Sequence, residues 1–197
     1  MRHSFRLVHA VVSAMLPLAV AGIAEAAPQA KASVPQVVAP DQSASVRDFD
    51  FLRGHWYVRN KRLPKQLQGS NEWVTSTGTL IGVPLLDGMG NYDELRSDET
   101  GALGVSVRFY NKQAGSWSDY WIANRDGVMQ PPVHGRFVDG VGRFEGEDTL
   151  QGKPILVRQL WTGITTATPR WEQAFSGDGG KTWETNWVMD FARTPFR

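Results

Sequence analysis

Three hydrogen-bond donors occupy positions where a sheltered interior would make them informative. Arg108 shares a strand face with Ser106 and Tyr110, Tyr120 with Ile122 and Asn124, and Arg158 with Leu156 and Leu160. Turned inward, such donors would hold a carboxylate head group inside an apolar chamber. Turned outward, the arginines would pair with Glu172 or Glu184 on neighbouring strands, and the period-2 pattern alone does not choose between the two. The expected ligand-contacting set is Trp56, Arg108, Tyr120, Trp121, Asn124, Arg158 and Trp187.

Other chemistry has little to work with. Beyond the first residues only His55 and His134 remain, the chain has no cysteine, and no HExxH-like spacing occurs, so no metal site is assigned. Haem held through His134, beside Pro131 and Pro132, is the one cofactor alternative to none. No G-x-S-x-G elbow, Gly-rich phosphate loop or dinucleotide fingerprint is present, which removes the common serine hydrolases and nucleotide enzymes. Glu145, Glu147 and Asp148 crowd one strand, with Asp148 facing away from the other two, and read as a solvated acidic run. No residue is assigned a catalytic role. A proton-transfer enzyme using Tyr120, Glu172 or Glu184 is the second reading. A structural module exposing tryptophan or a strand edge to a protein partner is the third.

The elements that would position these groups are strands. Alternating segments rich in Trp, Phe, Val and Thr run at about His55–Leu63, Asn71–Ile81, Tyr92–Ser97, Gly104–Asn111, Ser116–Asn124, His134–Val138, Gly142–Leu150, Pro154–Thr165, Arg170–Ser176 and Thr182–Ala192. Turn signals such as Asp87-Gly88, Asp139-Gly140 and Gln151-Gly152 separate them. The fold class predicted is all-β, an antiparallel up-and-down barrel of about ten strands. Asp48-Phe49-Asp50-Phe51-Leu52 forms one short helical turn ahead of it. The eight tryptophans serve the core, and the pairs Trp117/Trp121, Trp183/Trp187 and Trp171/Phe175 are each expected on one strand face.

Between the last two strands, Ser176-Gly177-Asp178-Gly179-Gly180-Lys181-Thr182-Trp183 reads as a tight hairpin. Asp178 is expected to accept backbone N–H bonds there, with Gly180 supplying positive φ and Trp183 packing beneath. The motif looks like the Asp-box of sialidases and other propellers. A single copy argues for a hairpin stabiliser and against a propeller.

The N-terminus sets the expected compartment. Arg2 and Arg6, the apolar run Leu7 to Ile23 and the Ala24-Glu25-Ala26 cleavage pattern predict a signal peptide over 1–26. An Ala-, Pro-, Gln- and Ser-rich disordered linker over 27–47 and one barrel domain over 48–197 follow. Of 21 basic and 20 acidic residues, Arg2, Arg6 and Glu25 leave with the leader, so the mature chain is formally neutral. Neutrality argues against nucleic acid as the partner, and no stable membrane anchor is expected after cleavage. A periplasmic or secreted location follows, and oligomeric state is not set by the sequence.

Gly54-His55-Trp56, preceded by Phe49-Asp50-Phe51-Leu52, resembles the Gly-x-Trp opening of lipocalins and their calycin relatives, and Arg193 resembles the basic residue that packs across that Trp. The similarity extends to an uncharacterised bacterial family of small, often exported, lipocalin-like proteins. It is carried by Phe49 to Trp56, by Trp117-Ser118-Asp119-Tyr120-Trp121 with Asn124-Arg125, and by Pro169 to Gln173 through Thr182-Trp183-Glu184 to Asn186-Trp187. This resemblance implies neighbouring first and last strands, with Gly54, Trp56 and Arg193 in structural roles beside Asp178, Gly180 and Trp183. The combined expectation is an exported barrel binding a small hydrophobic or amphipathic molecule.

Overall fold

Period-2 alternation from Gly54 onward leaves one apolar row per segment, and rolling the sheet onto itself is the way to bury ten such rows at once. A computed structural model describes residues 45–196, so the predicted leader and nearly all of the linker lie outside the described residues. Ten strands form: β1 Gly54–Arg62, β2 Val74–Leu85, β3 Gly90–Ser97, β4 Gly101–Asn111, β5 Ser116–Ala123, β6 Val133–Val138, β7 Val141–Leu150, β8 Lys153–Thr162, β9 Arg170–Ser176 and β10 Glu184–Ala192. Each pairs antiparallel with its sequence neighbours. The β1–β10 ladder, from Tyr57↔Ala192 to Arg62↔Trp187, closes the barrel. Closure gives every strand a paired neighbour on both sides, so no strand lies at an open sheet edge.

Burial follows the alternation. On β8 the inward row is Ile155, Val157, Gln159 and Trp161, while Leu156, Arg158 and Leu160 face out. Several boundaries differ from expectation, and two of them have local reasons. β2 continues through Pro84 to Leu85 because Pro84 lies near the strand end, opposite Asn91, where a lost donor costs little. β10 begins at Glu184, and a bulge between Thr185 and Trp187 changes its parity. Trp183 and Trp187 therefore do not share a face: Trp187 is buried inside, while Trp183 stays in the turn with the Arg158 guanidinium 4.0 Å from its ring centre.

That turn is a seven-residue connection, longer than a tight hairpin. The Asp178 carboxylate accepts from the backbone N–H groups of Lys181 and Thr182 at 3.1 and 3.0 Å, and from the hydroxyls of Thr182 and Ser176 at 2.7 Å each. These bonds to its ionised form hold its pKa below the ordinary carboxylate range, the Thr182 hydroxyl contributing most. Gly179 and Gly180 take positive φ, and the Trp183 indole donates to the Gly180 carbonyl at 3.1 Å.

One end of the barrel is stoppered. The 3₁₀ turn Asp50–Leu52 lays Phe49 and Leu52 across the opening. Phe49 meets Trp117, Phe137 and Trp161 edge-to-face at 4.9, 5.0 and 6.0 Å between ring centres, a geometry the ring quadrupoles favour. Trp56 donates its indole N–H to the Leu52 carbonyl at 3.1 Å. Arg193 lies 3.5 Å above the Trp56 ring and donates to the carbonyls of His55, Arg53 and Phe51. Gly54, at φ +83°, lets the chain turn from plug into strand, and at Gly82 a Cβ would stand 2.2 Å from the Leu52 carbonyl oxygen. Plug and wall therefore touch backbone to backbone.

The ladder between β5 and β6 is the shortest, with only Trp117↔Gly135, Ser118↔His134 and Asp119↔Val133 paired. Beyond Asp119 the two strands part. The connection 124–132 fills the gap, held by the Ile122↔Met129 bridge and a Gln130 N–H bond to the Trp121 carbonyl.

Candidate functional site

Above the plug the lumen is not filled. A cavity of about 90 Å³ is walled by inward rows of β2 to β10, with Leu80, Leu95, Val133, Val157 and Met189 as its apolar part. Trp121, Trp161, Trp171 and Trp187 supply four indoles. Trp187 lies 5.8 Å from Trp121 and 5.2 Å from Trp171, nearly perpendicular to both. Gln130 and exposed Pro131 from the β5–β6 connection, with half-buried Asp148 of β7, form its outer edge.

Its floor is charged. Strand register sets Arg108 of β4 between Asn91 of β3 and Asp119 of β5, with Asp93 one inward step along β3. Arg108 is 3% exposed, Asp93 2% and Asp119 5%, so water does not screen them. Arg108 Nε donates to Asp119 at 2.9 Å, and its Nη1 donates to Asn91 Oδ1 at 3.0 Å and to Asp93. The guanidinium carbon stands 4.9 Å from the Phe49 ring centre, joining floor to plug.

One guanidinium serves two carboxylates, and the electrostatics follow. Burial opposes the charge on Arg108, but Asp119 and Asp93 together more than offset it and raise its pKa, so the cation is fixed. Burial pushes the Asp119 carboxyl up to about 6; Arg108 pulls it down, and Asp93 adds repulsion. Asp93 is raised by burial too, against the pull of Arg108. A buried pair with an excess carboxylate readily takes up a proton.

Polar groups also reach the walls. Trp171 Nε1 donates to Gln159 Oε1 at 3.4 Å, Gln173 Nε2 to Asn186 Oδ1 at 2.9 Å, and Trp187 Nε1 to Asn60 Oδ1 at 3.0 Å. Four buried donors among the described residues have no protein hydrogen-bond partner: Trp161 Nε1, Asn60 Nδ2, Asn186 Nδ2 and, on the outer face, Arg158 Nε. Of these residues, Trp161 lines the cavity.

The structure divides the seven expected ligand contacts. Arg108, Trp121 and Trp187 line the cavity. Trp56 is buried but belongs to the plug. Tyr120, Asn124 and Arg158 lie on the outer face. Tyr120 continues an outward row through Val107, Tyr92 and Val83, and Asn124 donates to the Ala102 carbonyl at 2.8 Å. The outward alternative fails for Arg108, which is interior, and Arg158 lies over Trp183. Glu172 instead bonds Arg170 at 2.6 Å, and Glu184 accepts the Leu67 N–H at 2.6 Å. His134 is exposed beside the Ser118 hydroxyl at 3.0 Å and does not line the cavity. Among the described residues no group of three or more His, Cys, Asp or Glu is placed to hold a metal ion.

Asp93, Asp119, Gln159 and Gln173 were not anticipated. The signal for Asp119 was available, since it stands between Trp117 and Trp121 at period 2 as the one charge in an aromatic row. A charge there needs a buried partner.

Fold and site together define a calycin-like barrel whose lumen is solid at one end and hollow at the other. No family model and no curated protein matches the sequence. Among solved structures, an S-type phycobiliprotein lyase from Guillardia theta is similar, with a TM-score of 0.50 and 10% identity over 76% of this chain and 92% of that one. The likeness is one of fold.

Proposed function

We propose that the chain is an exported binding protein whose barrel lumen takes a compact amphipathic molecule. The observation that carries this reading is the mainly apolar, indole-walled cavity above a built charged floor. A fold filling its interior for stability alone has no use for such a void, because unfilled space costs packing energy. About 90 Å³ is several times the roughly 10–15 Å³ that admits a single water, which makes room for a ligand and limits it to a small molecule. Export rests on the leader-like N-terminus, and N-terminal sequencing of secreted protein tests it. Kinship with the bacterial lipocalin-like family rests on the Gly54-x-Trp56 opening and the Arg193 contact. Native mass spectrometry on protein purified without denaturant tests the binding reading. A retained small molecule, lost when Trp121 and Trp171 are replaced by Ala, supports it; a crystal structure showing only water in the lumen after soaking with indole overturns it.

One observation favours a second reading. The Asp119 carboxyl borders the cavity with its pKa near neutrality, where a general base is useful, so the lumen also suits proton abstraction from a small carbon acid. The probe is 5-nitrobenzisoxazole, whose ring opens when a base removes its carbon-bound proton. Acceleration of about 10²-fold or more, rising with pH through about 6 and lost in Asp119→Asn, supports this role. A rate no faster than that of free acetate ends it.

A further inference from the structure

We infer that the lumen selects a small organic cation, an arylalkyl amine whose ammonium sits against Asp119 and Asp93 and whose apolar body lies among the four indoles. This rests on the lumenal-binding reading and names its ligand class. Four observations converge on it.

Charge comes first. The cavity lining holds three carboxylates, Asp93, Asp119 and Asp148, and one guanidinium, Arg108. Arg108 is already committed through Nε and Nη1 to both floor aspartates and Asn91. A carboxylate head group would meet a neutralised guanidinium and uncompensated negative charge, so the acid-binding role that Arg108 suggests in the sequence is inverted by its neighbours. A cation would supply the missing charge where burial makes it most effective.

The walls agree with the floor. Indole faces are the best aromatic partners for ammonium groups, and Trp121, Trp161, Trp171 and Trp187 surround the same space. Perpendicular packing of Trp187 against Trp121 and Trp171 holds these rings apart instead of letting them collapse on each other.

An unpartnered donor points to a ligand. Trp161 is 1% exposed, borders the cavity, and its indole N–H has no protein acceptor. A hydroxyl or carbonyl oxygen on the same amine would accept from it, so amines carrying one such oxygen fit better than simple amines.

Finally, the excess carboxylate already draws protons. Burial raises Asp119 to about 6, with Arg108 of β4 and Asp93 of β3 facing it and uncharged Val133 opposite on β6; Asp148 of β7 borders the same cavity. An amine and a proton compete for this charge, so binding weakens as the pH falls below about 6.

The test uses three probes of nearly one size: 2-phenylethylamine, 2-phenylethanol and phenylacetate, titrated into the barrel protein at pH 7.5 by calorimetry and tryptophan fluorescence. The amine is expected to bind at least tenfold tighter than the alcohol, with no phenylacetate binding, and its preference to shrink to within about twofold at pH 5. Asp119→Asn keeps size and a hydrogen-bond acceptor and is expected to bring amine and alcohol binding to within about twofold of each other. Equal binding of amine and alcohol, or a preference for phenylacetate, overturns the cation assignment and leaves the binding reading standing. Binding of none of the three overturns both. The ranking in the unaltered protein decides the matter even where the variant fails to fold.

Discussion

The two ends of one lumen are built from the same ten strands and treated differently. At the plugged end Phe49 meets Trp117, Phe137 and Trp161 edge-to-face and Phe137 meets Phe144 likewise, leaving a space of only about 10 Å³ beside Phe49. Beyond Arg108 the same inward rows carry Asp, Gln, Ser and Trp, and a void remains. Packing density is a local choice along a strand, and this barrel concentrates its cohesion at one end so that the other can stay hollow.

The sharpest break to that contrast is truncation on either side of Arg108. Phe49→Ala removes the ring that the plug is built around and is expected to cost about 4 kcal/mol, whereas Met189→Ala, beside existing space, costs about 2. Urea unfolding midpoints measure both, and a reversed order would dissolve the contrast.

Next in size is a gain. Asp119 titrates at about 6 in the fold and near 3.9 unfolded, so between these values the folded state binds more protons. Its contribution is therefore most favourable below about pH 4 and is lost as the pH rises through about 6. Asp119→Asn is expected to raise stability at pH 7.5 by roughly 1–3 kcal/mol and by little at pH 4, as read from unfolding at the two pH values.

A smaller loss belongs to the seal. Arg193→Gln gives up the contact with Trp56 and charge-assisted bonds to three carbonyls, for about 1–2 kcal/mol in thermal unfolding, with lumenal binding unaltered. Smallest is Arg170→Ala. Its pairs with Glu172 and Asp190 lie at the surface, and the expected change is within about 0.5 kcal/mol.

Much of the architecture was legible because alternation and turn chemistry are local. Asp-Gly pairs and Trp, Val and Thr runs mark strands wherever they occur, and even the helical turn at Asp50 could be read ahead of Gly54. Which face turned inward was not local. Arg108 and Arg158 look alike in sequence, each following a valine in an alternating strand, yet one is interior because Asp93 and Asp119 arrive from β3 and β5, and the other is exterior. Those partners lie 15 and 11 residues from Arg108. The bulge at Thr185 escaped notice for a related reason, since parity counted from Trp183 silently reverses there. The site was therefore half visible: Arg108 and two of its four indoles, Trp121 and Trp187, could be named as candidates, while Trp161, Trp171 and its acids were not.

The brief β5–β6 seam carries a mechanical consequence. A cylinder whose hydrogen-bonded circumference is thinnest at a single joint breathes there first, while the Arg193-sealed junction of β1 with β10 stays shut. Amide protons flanking that joint should exchange with deuterated solvent soonest, and solutes should reach the interior through the side wall as that joint opens.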